Sequence, residues 1–294
     1  MSQAPGDGSG DPIDRRAVVE VRGVSKVFGH GPGAVTALES IDLTVRAGEF
    51  VSLIGPSGCG KSTLLRLIGD LTPATSGAVA VNGKPAAQAR RGREYGIVFQ
   101  APVLMDWRTV QRNVELPLEI MGRPRAERTE RARQMLGLVE LGEFGARYPW
   151  QLSGGMQQRV AIARALSIDP ALLLMDEPFG ALDEMTRERM NQELMEIWRR
   201  TGTTIVFVTH SIPEAVFLSS RVVVMSARPG RVTRVVDIDL DQPRTAASRN
   251  QERYFELVTA VRGALHQGGA DEATAAAEGL VTEESARIRA EGPA

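Results

Sequence analysis

Apolar residues along the chain fall into two kinds of run, and the contrast between them predicts most of the architecture. From Ala17 to Val45, short apolar stretches alternate with polar positions, as in Val18-Val19-Glu20-Val21 and Ile41-Asp42-Leu43-Thr44-Val45, with turn residues clustered at Gly29–Gly33 between them. Period-two alternation of this kind predicts half-exposed antiparallel strands. Phe50-Val51-Ser52-Leu53-Ile54 is denser in apolar residues, and Ala171–Met175 and Thr204–Val208 do not alternate at all. Strands that lack alternation are buried on both faces, which predicts a parallel sheet covered by helices. A further strand is expected at Gly96-Ile97-Val98-Phe99, ending at Gln100.

Between these runs the spacing turns helical. Thr63–Ile68 reads as a helix, and Val110–Ser167 as a helix-rich stretch in which Arg123–Leu138 sets apolar residues on one face among Arg and Glu. No heptad pattern persists, which argues against a long coiled coil. After Arg244, Phe255, Val258, Val261, Ala264 and Leu265 recur at helical spacing and predict one docked amphipathic helix. The expected organisation is a disordered Gly-, Pro-, Ser- and Asp-rich lead-in over 1–16 and one α/β domain over 17–244 with a helical part at about 101–167. The docked helix follows over 245–266, and a flexible tail over 267–294.

Composition removes several classes of function. The chain has 294 residues, 43% of them hydrophobic and 24% charged, as expected for an ordinary globular protein with a substantial core. A formal net charge of −1 argues against a nucleic-acid partner. Cys59 is the single cysteine, so no intrachain disulfide or cysteine-based metal site can form, which fits a reducing compartment. The N-terminal stretch lacks the apolar core of a signal peptide. No apolar stretch approaches the roughly 20 residues needed to span a bilayer, so a membrane connection would run through a partner.

The candidate chemistry begins where the strand Phe50–Ile54 meets Gly55-Pro56-Ser57-Gly58-Cys59-Gly60-Lys61-Ser62. Strand, glycine-rich loop and helix in that order are the context of a phosphate-binding loop. Glycines let successive N–H groups curl inward toward phosphate oxygens, and the helix that follows adds the positive end of its dipole. Lys61 is the point charge for β- and γ-phosphates, Ser62 is placed to ligate Mg²⁺, and Thr63 continues the site into the helix. Cys59, inside this cradle, reads as a small filler. Downstream, Leu172–Met175 runs into Asp176-Glu177-Pro178. Ligands of open α/β sheets bind beyond the carboxyl ends of the strands, so Asp176 is expected to hold Mg²⁺ through water and Glu177 to polarise the attacking water or accept its proton.

Leu152-Ser153-Gly154-Gly155-Met156-Gln157-Gln158-Arg159 resembles the signature motif of ATP-binding cassette proteins, differing from the commonest pattern at Met156. Ser153 is a good helix N-cap, and Gly154-Gly155 expose bare N–H groups that suit an anion. The remaining cassette motifs follow in order. Gln100 resembles the Q-loop glutamine that senses Mg²⁺ and water, Ala181-Leu182-Asp183 the D-loop that crosses to a second subunit, His210 the switch histidine on the γ-phosphate, and Phe28 the aromatic that stacks on adenine. The resemblance covers Val18 to about Val236. Within the family, Leu104–Val110, Asn113-Val114 and Met225–Val232 look like the import ATPases for nitrate, sulfonate, taurine and related small solutes.

The resemblance implies the P-loop NTPase fold of cassette ATPases: a RecA-like parallel-sheet core, an antiparallel β subdomain and a helical subdomain. It implies ATP and Mg²⁺ as cofactors and a head-to-tail dimer with a second copy or a homologous ATPase. In that dimer Ser153, Gly154, Gly155 and Gln157 of one chain close over the phosphate loop of the other. It also implies an integral membrane permease contacted through Gln100–Asn113, with Trp107 and Arg108 as contact residues. A solute-binding protein would act indirectly, and the chain would sit on the cytoplasmic face of the inner membrane. Cassette ATPases of DNA repair or chromosome maintenance carry long coiled coils or zinc modules, and those of the ribosome carry two cassettes; this chain shows neither. A monomeric small-molecule kinase would have no use for Leu152–Gln158 or His210.

Overall fold

A computed structural model describes residues 16–267, so the expected lead-in up to residue 15 and the tail from 268 lie outside the described residues. The chain begins with the long strands β1 (Ala17–Phe28) and β2 (Val35–Arg46), then β3 (Phe50–Ile54), helix α1 (Lys61–Ile68), β4 (Ser76–Val81), β5 (Lys84–Pro85), α2 (Ala86–Gly92) and β6 (Tyr95–Val98). Three helices follow, α3 (Val110–Ile120), α4 (Arg125–Leu138) and α5 (Gly154–Leu166), before β7 (Leu172–Asp176), α6 (Glu184–Thr201), β8 (Thr204–Val208), α7 (Ile212–Leu218), β9 (Arg221–Met225) and β10 (Val232–Asp237). A last helix, α8, spans residues 252–267.

The strands form two sheets. A four-stranded antiparallel sheet has the order β2-β1-β4-β5, and a six-stranded sheet has the order β10-β9-β3-β8-β7-β6. In the larger sheet β9, β3, β8, β7 and β6 are parallel, and β10 closes one edge antiparallel to β9.

The continuous apolar character of the parallel strands has a direct cause. Phe50 and Ile54 of β3, Leu173 and Met175 of β7, and Ile205 and Phe207 of β8 point into a core shared with the helices. Their alternate neighbours Val51, Leu53, Leu172, Leu174, Val206 and Val208 point into a second core shared with α1 and the antiparallel sheet. Each such side chain, sealed on its own face, contributes roughly 1.5–3 kcal/mol. β9 follows the same rule, with Val222 and Val224 on one face and Val223 and Met225 on the other. Neither β9 nor the β10 pairing was anticipated as a strand in the sequence.

One expected face is corrected. Phe255 was expected on the buried stripe of the C-terminal helix but is 58% exposed, while Tyr254 beside it is 5% exposed and packs inward with Leu257, Val258, Val261 and Ala264. The choice follows from hydrogen bonding: the buried Tyr254 hydroxyl donates to Pro213 O at 3.1 Å, at the start of α7, and phenylalanine has no such donor. α7 is held at its other end by Arg244. That guanidinium, buried at 5% exposure, donates to Val216, Phe217 and Ser219 carbonyls at 3.3, 3.0 and 2.7 Å, which are the acceptors a helix C-terminus leaves unpaired. Burial pushes its pKa down to about 10.

Candidate active site

The loop between β3 and α1 is shaped by its glycines. Gly60 caps α1 at φ 100°, and a Cβ there would stand 2.6 Å from Leu38 Cδ2 and 3.0 Å from Ala37 O, so only glycine fits. Lys61 is buried, and its Nζ donates to Gly55 O at 2.8 Å and Pro56 O at 3.0 Å, closing the loop from inside. Cys59 is fully buried, and burial raises its thiol pKa against the smaller opposing effect of Lys61. It is a protonated filler, as its position in the sequence suggests.

Asp176 ends β7, 8% exposed, and accepts a hydrogen bond from Ser62 Oγ at 2.6 Å. One residue further on, the backbone leaves the strand through Glu177, a non-glycine residue at φ 45°, with its N–H donating to Val208 O at 3.0 Å. A left-handed conformation costs a non-glycine residue of order 1–3 kcal/mol and persists where the surroundings fix it. Because Asp176 lies opposite Val208 in the parallel β7–β8 register, the residues just beyond each strand meet. The Glu177 Oε2 to His210 Nδ1 distance is 3.2 Å.

Lys61, Ser62, Glu177 and His210 line one cavity of about 630 Å³, and Asp176, outside its lining, is joined to it through Ser62. Its lining includes Ser57, Gly58, Gly60, Lys61, Ser62 and Thr63 of the phosphate loop and first turn of α1, Glu177 and His210 beyond β7 and β8, and Phe28 and Val35 of the antiparallel sheet. Phe28, 45% exposed, offers a ring face with Lys26 Nζ 4.9 Å from its centroid. Gly55, Pro56 and Cys59 belong to the loop but are not among the lining residues.

Other expected site residues lie outside the cavity. Gln100 is exposed beyond β6, and a Cβ built at Gly180 would lie 3.3 Å from its Nε2 and 3.5 Å from Glu177 Oε2, so a side chain at Gly180 would crowd both. Ser153 caps α5 as expected, its Oγ accepting from Met156 N at 3.4 Å. Gln157 Nε2 donates to Pro149 O at 3.1 Å and Leu152 O at 3.2 Å, tying down the loop before Ser153. Asp183 caps α6 by accepting from Thr186 N at 3.0 Å, and that bond holds its carboxyl below the usual range. Gly154 lies near Leu182, and a Cβ at Gly155 would lie 3.3 Å from Thr186 Cγ2, so the start of α5 and the loop before α6 are neighbours. Trp107 is 77% exposed, and Arg108 is paired with Glu119 at 2.7 Å.

Two charged residues to which the sequence motifs assign no role stand near this site. Arg228 lines the cavity from the loop after β9. Glu214 is buried behind His210 and accepts from Thr209 Oγ1 at 2.5 Å; Thr209 Oγ1 in turn accepts from Ser211 N at 2.9 Å, so the two residues flanking His210 are pinned together. Nothing local in the sequence marks it.

The Mg²⁺ expectation fits the donors present. Ser62 Oγ and Asp176 Oδ1 are hard oxygen donors held side by side, and no group of three or more His, Cys, Asp or Glu that could hold a metal occurs among the described residues. A cation bound by one or two protein oxygens together with substrate phosphates and waters is the habit of Mg²⁺.

Comparison with known proteins agrees with this geometry. Residues 38–180 match the ABC transporter family model. An uncharacterised ABC transporter ATP-binding protein of Methanocaldococcus jannaschii is 50% identical over 236 residues, covering 80% of this chain and 88% of the relative. The nitrate import ATP-binding protein of Synechocystis is 43% identical (83% of this chain, 95% of the relative), and an aliphatic sulfonates import ATP-binding protein of Bacillus cereus is 41% identical (85% and 97%). Among solved structures, a dimeric ATP-binding cassette in a post-hydrolysis state with ADP and Pi aligns with TM-score 0.66 and 38% identity, covering 75% of this chain and 98% of that one. No helix among the described residues is long and apolar enough to cross a membrane. With a phosphate loop, a Ser62–Asp176 pair and a Glu177–His210 pair around one cavity, and with relatives of this closeness, the chain belongs to the ATP-binding cassette family of ABC transporter ATP-binding subunits and is an ATPase.

Proposed function

We propose that the chain is the ATP-hydrolysing subunit of an importer for a small oxyanionic solute of the nitrate, sulfonate or taurine class, working as a head-to-tail dimer beneath a membrane permease. The observation that carries the dimer reading is the separation just described. Lys61, Ser62, Glu177 and His210 surround the cavity, while Ser153-Gly154-Gly155, a helix start suited to an anion, is absent from its lining. Each chain then holds one complete floor and one loose lid, and a second copy supplies the lid.

In this reading the phosphates of ATP lie along 55–62 with Lys61 against the β- and γ-oxygens, and adenine lies toward Phe28. Ser62 and Asp176 would hold Mg²⁺, which when bound would supply positive charge to the phosphate oxygens. Glu177 takes a proton from the attacking water as its oxygen bonds the γ-phosphorus and the bond to ADP breaks. His210 orients Glu177 and holds the γ-phosphate, and Gln100 reports the state of the site to the permease. Asp183 and Gln157 act as residues that shape the dimer contact. The exposed Trp107 is the natural permease contact, with Arg108 beside it. A solute-binding protein delivers the solute on the far side, which places this subunit at the cytoplasmic face.

The test is reconstitution. The chain is expected to co-purify with an integral membrane protein, and ATPase activity of that complex in vesicles is expected to rise when nitrate or an alkanesulfonate is presented with its binding protein. A chain that brings down no membrane protein, or a complex whose turnover ignores every such solute, contradicts the proposal.

A further inference from the structure

The loop after β9 does more than connect two strands. It lies against the phosphate loop at several points. A Cβ built at Gly230 would stand 2.0 Å from Cys59 O, and one built at Gly55 would stand 2.8 Å from Met225 O, so backbone meets backbone with no room for a side chain at either place. The loop is fastened on its other side to β2, with Gly230 N donating to Ala37 O and Glu39 N donating to Gly230 O, both at 3.0 Å. Within the loop, Ser226 Oγ accepts from Arg231 N at 2.9 Å and lies 3.1 Å from Pro229 O, which stiffens the turn.

This strap carries two arginines with different surroundings. Arg231 is neutralised by Glu39 at 2.7 Å. Arg228 has no ion pair with an acid among the described residues. Its one hydrogen bond is a long one, Nη2 to Gly58 O at 3.4 Å, and it is exposed and lines the cavity that Lys61, Ser62, Glu177 and His210 also line. An exposed guanidinium with no acidic partner among the described residues, set beside the phosphate loop, is placed for an anion, and its fork matches phosphate oxygens in a way an ammonium does not.

We propose that Arg228 is a nucleotide-binding residue that clamps the phosphate chain of ATP from its place beside Gly58, making the β9–β10 loop a further wall of the site. The proposal rests on the ATP-binding reading above and adds a residue that reading does not contain. Contact with phosphate is favoured over contact with the base because Arg228 stands at Gly58, within the phosphate loop, whereas Phe28 and Val35 offer the apolar surface suited to adenine. Such a clamp holds substrate and transition state alike, so its loss is expected in KM and not in kcat.

The experiment measures equilibrium binding of ATP, ADP and adenosine, with Mg²⁺, to the wild-type chain and to Arg228→Ala, Arg228→Lys and Arg228→Glu, with Lys61→Ala alongside. Arg228→Ala is expected to weaken ATP about tenfold, in keeping with one exposed charge-assisted hydrogen bond. Arg228→Glu should weaken it further and Arg228→Lys restore part of it. ADP should lose affinity as well, adenosine should be unaffected, and the dependence of ATP affinity on salt should flatten in Arg228→Ala. Unchanged ATP affinity in Arg228→Ala, or an equal loss for adenosine, overturns the proposal. Arg228→Lys behaving like Arg228→Ala with an undiminished salt dependence also overturns it, because that pattern marks a loop support and not a phosphate contact. Lys61→Ala separates the two levels: loss of ATP there with none in Arg228→Ala removes Arg228 alone, and a wild-type chain that binds no ATP removes both readings.

Discussion

Ser62 and Asp176 stand 114 residues apart in the chain, yet the Ser62 hydroxyl donates to Asp176 Oδ1 at 2.6 Å. The contact joins the first turn of α1 to the carboxyl end of β7 and brings together the two oxygens suited to a divalent cation. Asp176→Asn keeps a similar shape and removes the charge, and Ser62→Ala removes the neighbouring oxygen. Both are expected to raise the Mg²⁺ concentration needed for half-maximal ATPase activity by about tenfold or more, the scale of losing a charged or hydrogen-bonding partner. Mg²⁺ titrations that coincide with wild type in both variants would remove this pair from the metal site.

Arg244 is expected to matter to stability more than any surface arginine. Arg244→Ala leaves the carbonyls of Val216, Phe217 and Ser219 without their donor in a buried place, at a cost of roughly 2–4 kcal/mol. Denaturant unfolding of the two chains reads this directly, and a midpoint equal to wild type would show that these carbonyls find other donors.

Glu214 gives the fold a pH dependence. Burial raises its carboxyl pKa above the usual value, opposed in smaller measure by the hydrogen bond from Thr209 and the positive charge of Arg187. The folded chain thus holds the proton to higher pH than the unfolded chain does. Stability from this group is fully present below the unfolded carboxylate value of about 4.5 and declines as pH rises through the folded value. Glu214→Gln, fixed in a neutral form, is expected to gain stability relative to wild type as pH rises from acid to neutral. A stability difference that is flat with pH would contradict this.

Local chemistry decided what was legible in the sequence. Gly55–Ser62 and Leu152–Arg159 could be read because each motif is contiguous and its shape follows from the backbone freedom of glycine and the capping oxygen of Ser153. The parallel strands were legible where their runs are long, and β9 was missed although Val222-Val223-Val224 has the same character. Helical periodicity set the C-terminal helix in place but not its exact facing, and the Tyr254 hydroxyl bond to Pro213 O turned it by one residue. Arg228 and Gly58 are 170 residues apart, and no local pattern announces such a contact. Gln157 matched its motif in type, yet its amide is engaged by Pro149 O and Leu152 O, which only the folded loop reveals.

In the proposed dimer each chain holds half of two shared sites, with Glu177 as the group that takes the proton from water. Its most direct test is sedimentation of Glu177→Gln with and without Mg²⁺ and ATP, run beside an assay of turnover. The expected result is a monomer without nucleotide, a stable dimer with ATP, and hydrolysis slowed by at least about a hundredfold, the usual scale for losing a general base. A variant that stays monomeric at saturating ATP, or that turns over ATP at the wild-type rate, would contradict it.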